Sequence, residues 1–86
     1  MYYVYVLRSK NDGNFYVGHT SDLSKRMEQH SKGVVESTRN RRPLELIYYE
    51  ACAKQQDALR REKYLKTTYG RRYIRNRLKE YLDEFD

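Results

Sequence analysis

The first twenty residues constrain the fold more than any other part of the chain. From Tyr2 to Arg8, Tyr3, Tyr5 and Leu7 alternate with Tyr2, Val4 and Val6, so both faces of an extended segment carry aromatic or aliphatic side chains. The segment reads as a strand buried on both sides. Asn11-Asp12-Gly13-Asn14 is a turn, and Phe15 to Thr20 is again short, aromatic and β-branched, which makes the two segments a hairpin. Tyr3 or Tyr5 can thus lie close to Tyr16.

Beyond the hairpin the periodicity changes. In Thr20 to Gly33, Leu23, Met27 and His30 follow the i, i+4, i+7 spacing of one helical face, with Arg26 at its edge. Arg26 and His30 sit four apart and point the same way. Thr20 or Ser21 is the expected cap, Asp22 suits the positive end, and Gly33 can stop the helix in the left-handed conformation. A polar loop runs to Pro43. Leu44 to Glu50, with Leu46, Ile47, Tyr48 and Tyr49, is a third strand, and the helix before it allows either direction of pairing with the hairpin. Lys54 to Tyr69 is a second helix, which Gly70 is expected to break. Arg71 to Leu82 is a third, with Ile74, Leu78, Tyr81, Leu82 and then Phe85 facing inward. The order β-β-α-β-α-α gives an α+β fold, a three-stranded sheet flanked by helices.

One position breaks the binary pattern. The apolar stripe of the second helix is Ala58, Leu59, Leu65 and Tyr69, and Glu62 falls three residues from both Leu59 and Leu65, where a leucine is expected. Burying even a neutral polar group without a partner costs roughly 2–7 kcal/mol, so Glu62 should be paired, metal-bound or lining a cleft. Such breaks mark functional sites.

At 86 residues the expectation is one domain over residues 1–86, whose thin core buries about 60% of the surface the unfolded chain exposes. A net charge of +6, with ten tyrosines and no tryptophan, points to a polyanionic partner, nucleic acid first, over a small neutral metabolite. The cations concentrate in a loop (Lys32, Arg39, Arg41, Arg42) and in a C-terminal run from Arg60 to Lys79. The run is equally the solvated face of a helix, whereas the loop cluster lies between two structured segments, where contacts are usually carried. Cys52 has no partner for a disulfide and no companion metal ligand, and reads as a small buried hydrophobe in a reducing compartment. With no signal peptide and no apolar stretch of spanning length, the expected location is cytoplasmic, with no membrane partner.

These residues resemble the GIY-YIG nuclease family, and in particular its small single-domain bacterial members. Tyr3-Val4-Tyr5 stands where that family has Gly-Ile-Tyr, and Tyr16-Val17-Gly18 where it has Tyr-Ile-Gly. Arg26 lies eight residues after Gly18, His30 four further on, and Glu62 in a later helix, in the family's order and approximate spacing. The resemblance covers nearly the whole chain, and it departs at position 3, a tyrosine where the motif has glycine. It implies a metal-dependent endonuclease that hydrolyses DNA phosphodiesters, structure-selective and linked to repair or recombination. The cofactor it implies is one Mg2+ (or Mn2+) held by Glu62, substrate oxygens and waters. Arg26 would donate to the phosphate as charge builds on it. Tyr5 would activate the attacking water, with Tyr16 second or assisting, provided that Arg26, His30 or the metal depresses its phenol pKa. His30 would relay a proton or hold a tyrosine hydroxyl. His19 would touch substrate, Asn76 would correspond to a family asparagine near the metal, and Thr38, with Arg39, Arg41 and Arg42, would contact phosphates.

Each residue also has a plainer account. Tyr3, Tyr16, Tyr48 and Tyr49 fit a sheet core, His30 fits a core or capping histidine, and an Arg26–Glu62 ion pair would explain both charged residues without chemistry. The competing functional reading is a non-catalytic nucleic-acid-binding module, with exposed tyrosines stacking on bases and basic residues neutralising phosphates. A weaker third is an interaction subunit that lends its basic face to an assembly.

Overall fold

The computed structural model describes residues 1–85. Two strands, β1 (Tyr2–Ser9) and β2 (Phe15–Thr20), form the expected hairpin around Gly13, whose φ of 74° suits a residue without a side chain. Helices α1 (Leu23–Lys32) and α2 (Glu36–Arg39) follow, then β3 (Leu44–Cys52), α3 (Gln55–Leu65), α4 (Thr68–Arg77) and α5 (Lys79–Asp83). The sheet order is β2-β1-β3, and β1 is antiparallel to both neighbours, which settles the direction of β3. The fold is thus α+β, a three-stranded sheet with helices on its faces. The β1–β3 register shifts between Val6 and Leu7, because β3 carries one extra residue, Ile47.

Strand alternation sends the two halves of β1 to different neighbours. Val4 and Val6, with Val17 of β2, pack against Ala58, Leu65 and Ile74 of α3 and α4, and these six make the hydrophobic core. Tyr5 and Leu7 point the other way, and Tyr5 meets His30 of α1. The strand is buried on both sides as its composition requires.

Several boundaries differ from the sequence reading. The cap of α1 is Asp22, not Thr20 or Ser21: its carboxylate accepts from Lys25 N at 3.0 Å, while Thr20 Oγ1 accepts from Asp22 N in the turn before it. Gly33 ends α1 with φ 77°. The polar loop contains α2, four residues long, too short to leave a periodic signal.

Gly70 does not break a helix. The break falls at Lys66–Thr67, where the Thr67 hydroxyl donates to Tyr64 O at 2.7 Å and accepts from Gly70 N at 3.1 Å, capping α4. Gly70 is buried in the first turn of α4 against the Tyr64 carbonyl and Leu65 Cα, a contact too close for any side chain. Tyr69, read as part of the inward stripe, is therefore 69% exposed. Phe85 lies at the edge, half exposed, edge-to-face with Tyr81 and under the Arg8 guanidinium. Cys52 is half-buried, with its thiol near Tyr2 O and Lys54 O.

Candidate active site

A row of polar groups runs through the interior between β1 and α1. Tyr5 comes from the middle of β1, His30 from the last turn of α1 and Thr38 from α2. Tyr5 Oη lies 2.8 Å from His30 Nε2, and His30 Nδ1 lies 2.7 Å from Thr38 Oγ1. All three are buried. Arg26, one turn before His30, donates from Nε to Tyr5 Oη at 3.4 Å and from Nη1 to Gln29 at 3.2 Å. The spacing of Arg26 and His30 thus brings both to one phenol. Tyr16 packs its ring edge-on to His30, with centroids 5.4 Å apart, and stands 6.4 Å from the Tyr5 ring. Its hydroxyl accepts from Ser37 of α2 at 3.3 Å.

Gly18 gives this arrangement its room. It pairs with Tyr5 across the hairpin, and a Cβ there would lie 2.5 Å from Tyr5 Oη. The next residue, His19, points to the opposite face of the sheet, where its Nδ1 meets Glu62 Oε1 at 2.9 Å. The other Glu62 oxygen is 3.3 Å from Lys66 Nζ, and the carboxylate side chain is 16% exposed. Glu62 is therefore paired, as its place in an apolar stripe demands, but with His19 and Lys66. Among the described residues it forms no ion pair with Arg26. The Glu62 charge still acts on the Tyr5 phenol, so the groups on the two faces are electrostatic neighbours. His19 and Arg26 share the wall of a polar cleft with Lys25 and Gln29.

Burial dominates the titration of this cluster. It raises the Tyr5 phenol above its ordinary value of 10.0, outweighing the Arg26 hydrogen bond that pulls it down. It also lowers His30 to about 4, with the Arg26 charge adding to the effect. The expectation that nearby cations depress the Tyr5 pKa is thus corrected: His30 is neutral at pH 7, and desolvation of the phenolate outweighs the one guanidinium beside it.

The other candidate residues fall elsewhere. Thr38 is fully buried with its hydroxyl on His30, so it stands behind the site and is not available to a phosphate. Arg41 binds the hairpin, donating to Asp12 and to Phe15 O, both at 3.4 Å. Arg42 packs against Gly33 and donates to Ser31 O at 3.1 Å and Arg39 O at 3.0 Å, satisfying carbonyls where α1 and α2 end. Both arginines hold the loop to its surroundings, Arg41 half-buried and Arg42 still exposed. Arg39 is exposed on α2. Asn76 is exposed, two residues beyond the buried Ile74 and hence on the outer side of α4, away from the Tyr5 cluster. The sequence reading missed Ser37, Gln29 and Lys66 as neighbours of the cluster. Lys66, four residues after Glu62, was detectable from helical spacing; Ser37 was not.

With this geometry in place, comparison with known proteins gives the class. The chain belongs to the GIY-YIG family: the family model described as the GIY-YIG catalytic domain matches residues 1–76. That is a nuclease family, whose members act on nucleic acid. Within it, the chain is similar to UPF0213 proteins. One from Bacillus pumilus is 43% identical over 67 residues, spanning 77% of this chain and 67% of the relative. Another from Staphylococcus saprophyticus is 37% identical over 67 residues, spanning 77% and 80%. The solution NMR structure of a UPF0213 protein from Bacillus halodurans superposes with a TM-score of 0.54 at 32% identity, covering 86% of this chain and 82% of that one. No helix among the described residues is long and apolar enough to cross a membrane.

Proposed function

We propose that the chain is a metal-dependent endonuclease that hydrolyses DNA phosphodiesters, selecting its substrate by shape and not by base sequence, in repair or recombination. The observation that carries this reading is the convergence of one phenol, one guanidinium and one half-buried carboxylate, brought from three distant segments to the two sides of Gly18.

Glu62 is the group that would hold a divalent cation, Mg2+ or Mn2+. Among the described residues no three His, Cys, Asp or Glu side chains gather as a closed ligand set. A single carboxylate suits a hard ion that keeps most of its water and takes its remaining ligands from a phosphate. Both Glu62 oxygens already have partners, His19 Nδ1 and Lys66 Nζ, which a bound ion would displace or share. When bound, the ion would neutralise charge on the scissile phosphate.

Arg26 serves two groups. Its Nε supports Tyr5 Oη, and the face it turns to the cleft would donate to phosphate oxygens as their charge builds. Tyr5 is fully buried beside Arg26, which borders the cleft, so to take a proton from the attacking water its hydroxyl has to be uncovered when substrate binds. Its phenol is protonated at neutral pH, so the active fraction, and with it kcat, rises by about tenfold per pH unit through the neutral range. Tyr16, packed edge-on against His30 and beside the Tyr5 ring, would assist. A second reading, a binding module without catalysis, draws on one observation: Tyr64, Tyr69 and Tyr73 are exposed on α3 and α4 beside Arg61 and Arg72, a surface able to stack on bases.

Cleavage and binding of branched, single-stranded and duplex DNA separate the two. Wild type should cleave with Mg2+ or Mn2+ and stop in chelator, while Glu62→Ala and Tyr5→Phe bind without cleaving. Binding with no cleavage of any substrate would favour the module.

A further inference from the structure

The hydrophobic core is not closed at one corner. On the α3 face of the sheet, the edge strand β2, the end of α3 and the middle of α4 leave a half-enclosed cavity of about 220 Å3. Its walls are Val6 and Val17 of the hairpin, Leu65 and Ile74, all four members of the core, with the half-buried Phe15 beside them. Protein interiors hold few voids larger than one water, and this one has room for several. An aliphatic lining offers such waters few partners, so the cavity suits an apolar group that enters from outside. It is too small for a drug-sized molecule and of the right order for a single heterocyclic ring.

The mouth of the cavity is cationic. Lys66 and Arg71 line it and are both exposed, which places them at the rim, and the Arg75 guanidinium lies 5.1 Å from the centroid of the Phe15 ring. Among the described residues no acid lines it. An apolar, ring-sized hollow under a cationic rim is complementary to a flat ring that carries a phosphate. The cavity also borders the candidate site. Lys66 Nζ is 3.3 Å from Glu62 Oε2, and Val17 lies two residues before His19 on the same face of β2, where His19 meets the other Glu62 oxygen.

We infer that the cavity receives the base of an unpaired nucleotide next to the scissile phosphate, with Arg71 and Lys66 on that nucleotide's own phosphate. A base enters such a site only when it is neither paired nor stacked, so selection by shape becomes a chemical requirement for a single strand, loop or bulge at the cut. The four aliphatic walls have no hydrogen-bonding side chain to read a base edge, and every base has a face they can cover, so the site tolerates any sequence. The place beside the scissile phosphate rests on the proposed nuclease function; the binding of a base does not.

Methyl-labelled protein titrated with DNA in chelator tests the inference without cleavage. The probes are a duplex with one extra unpaired thymidine, the same duplex with an abasic residue at that place, and the fully paired duplex. The Val17, Leu65 and Ile74 methyl resonances should shift with the first and stay in place with the other two. Loss of the base should weaken binding by about 5-fold to 150-fold, the range for one stacked base. Arg71→Gln, a change at an exposed position, should lower the slope of log affinity against log salt by about 0.7–0.9, one phosphate contact. Unmoved cavity methyls in wild type, or equal affinity for the abasic duplex, overturn the inference even if DNA is cleaved with Mg2+. Base-dependent shifts with no cleavage under any metal would leave the base site standing and sink the proposed nuclease.

Discussion

Gly18 should be coupled to Tyr5 by a measurable energy. The two residues face each other across the hairpin, and a methyl group at 18 would lie 2.5 Å from Tyr5 Oη, 2.6 Å from Cζ and 3.1 Å from Cε2. The backbone at 18 does not have positive φ, so alanine meets no conformational penalty there. By itself the exchange would stabilise a strand by up to about 0.5–1 kcal/mol. The phenol cannot swing aside at no cost, because it is fully buried and held at its oxygen by His30 at 2.8 Å and Arg26 at 3.4 Å. Overpacking costs about 1–3 kcal/mol, and a broken Tyr5–His30 bond adds about 1. The net expectation for Gly18→Ala is a loss of about 2 kcal/mol, or a fall in Tm of roughly 8–16 °C for a chain of this size. In a Tyr5→Leu background the three clashing atoms are absent, so the same exchange should be neutral or mildly stabilising. Urea denaturation of the four proteins, followed by circular dichroism, closes the cycle, with an expected coupling of about 2–3 kcal/mol. Equal costs of Gly18→Ala in both backgrounds would mean that the glycine does not make room for the phenol.

Two further outcomes follow from burial. Gly70→Ala should destabilise by about 2 kcal/mol or more, although alanine is favoured over glycine in helices by about 1 kcal/mol, because its Cβ would strike the Tyr64 carbonyl and Leu65 Cα; a melting temperature at or above wild type would refute the close crossing of α3 and α4. His30 has a folded pKa of about 4 against 6.5 unfolded, so its contribution is fully present above pH 6.5 and is lost as pH falls toward 4. That is about 3 kcal/mol, read as the excess pH dependence of wild-type urea stability over that of His30→Gln, and identical slopes would show His30 to be solvated.

The sequence made the hairpin, the third strand and the first helix legible because each carries a signal inside its own segment: alternation in Tyr2–Arg8, the Asn-Asp-Gly turn, and the Arg26 and His30 spacing closed by Gly33. What it hid depended on contacts between segments. Gly70 looks like a helix breaker until α3 is packed against it, and α2 has no period of its own yet delivers Thr38 to His30 and Ser37 to Tyr16. Glu62 was detectable as an anomaly, but its partners were not, since His19 comes from 43 residues away. The direction of the Tyr5 pKa was misjudged for the same reason. Counting neighbouring cations along a sequence omits the desolvation that only the packed interior imposes.

The sheet itself divides the candidate site. Tyr5, Arg26 and His30 lie on the α1 face, and His19 and Glu62 lie on the α3 face. Only a strand with no neighbour on one side lets a single phosphate reach both, and β2 is such a strand, outermost in the order β2-β1-β3. At Gly18 nothing but backbone separates the phenol from the residue that holds the carboxylate. On the proposed reading, the scissile phosphate therefore straddles the β2 edge at Gly18. Lys25, in the cleft with Arg26, and Lys66, beside Glu62, then stand on the two sides to meet its flanking phosphates. A substrate bound over an edge, and not in a groove, is held by its backbone on two faces at once. That favours nucleic acid whose path can bend around the strand, and it agrees with selection by shape over selection by sequence.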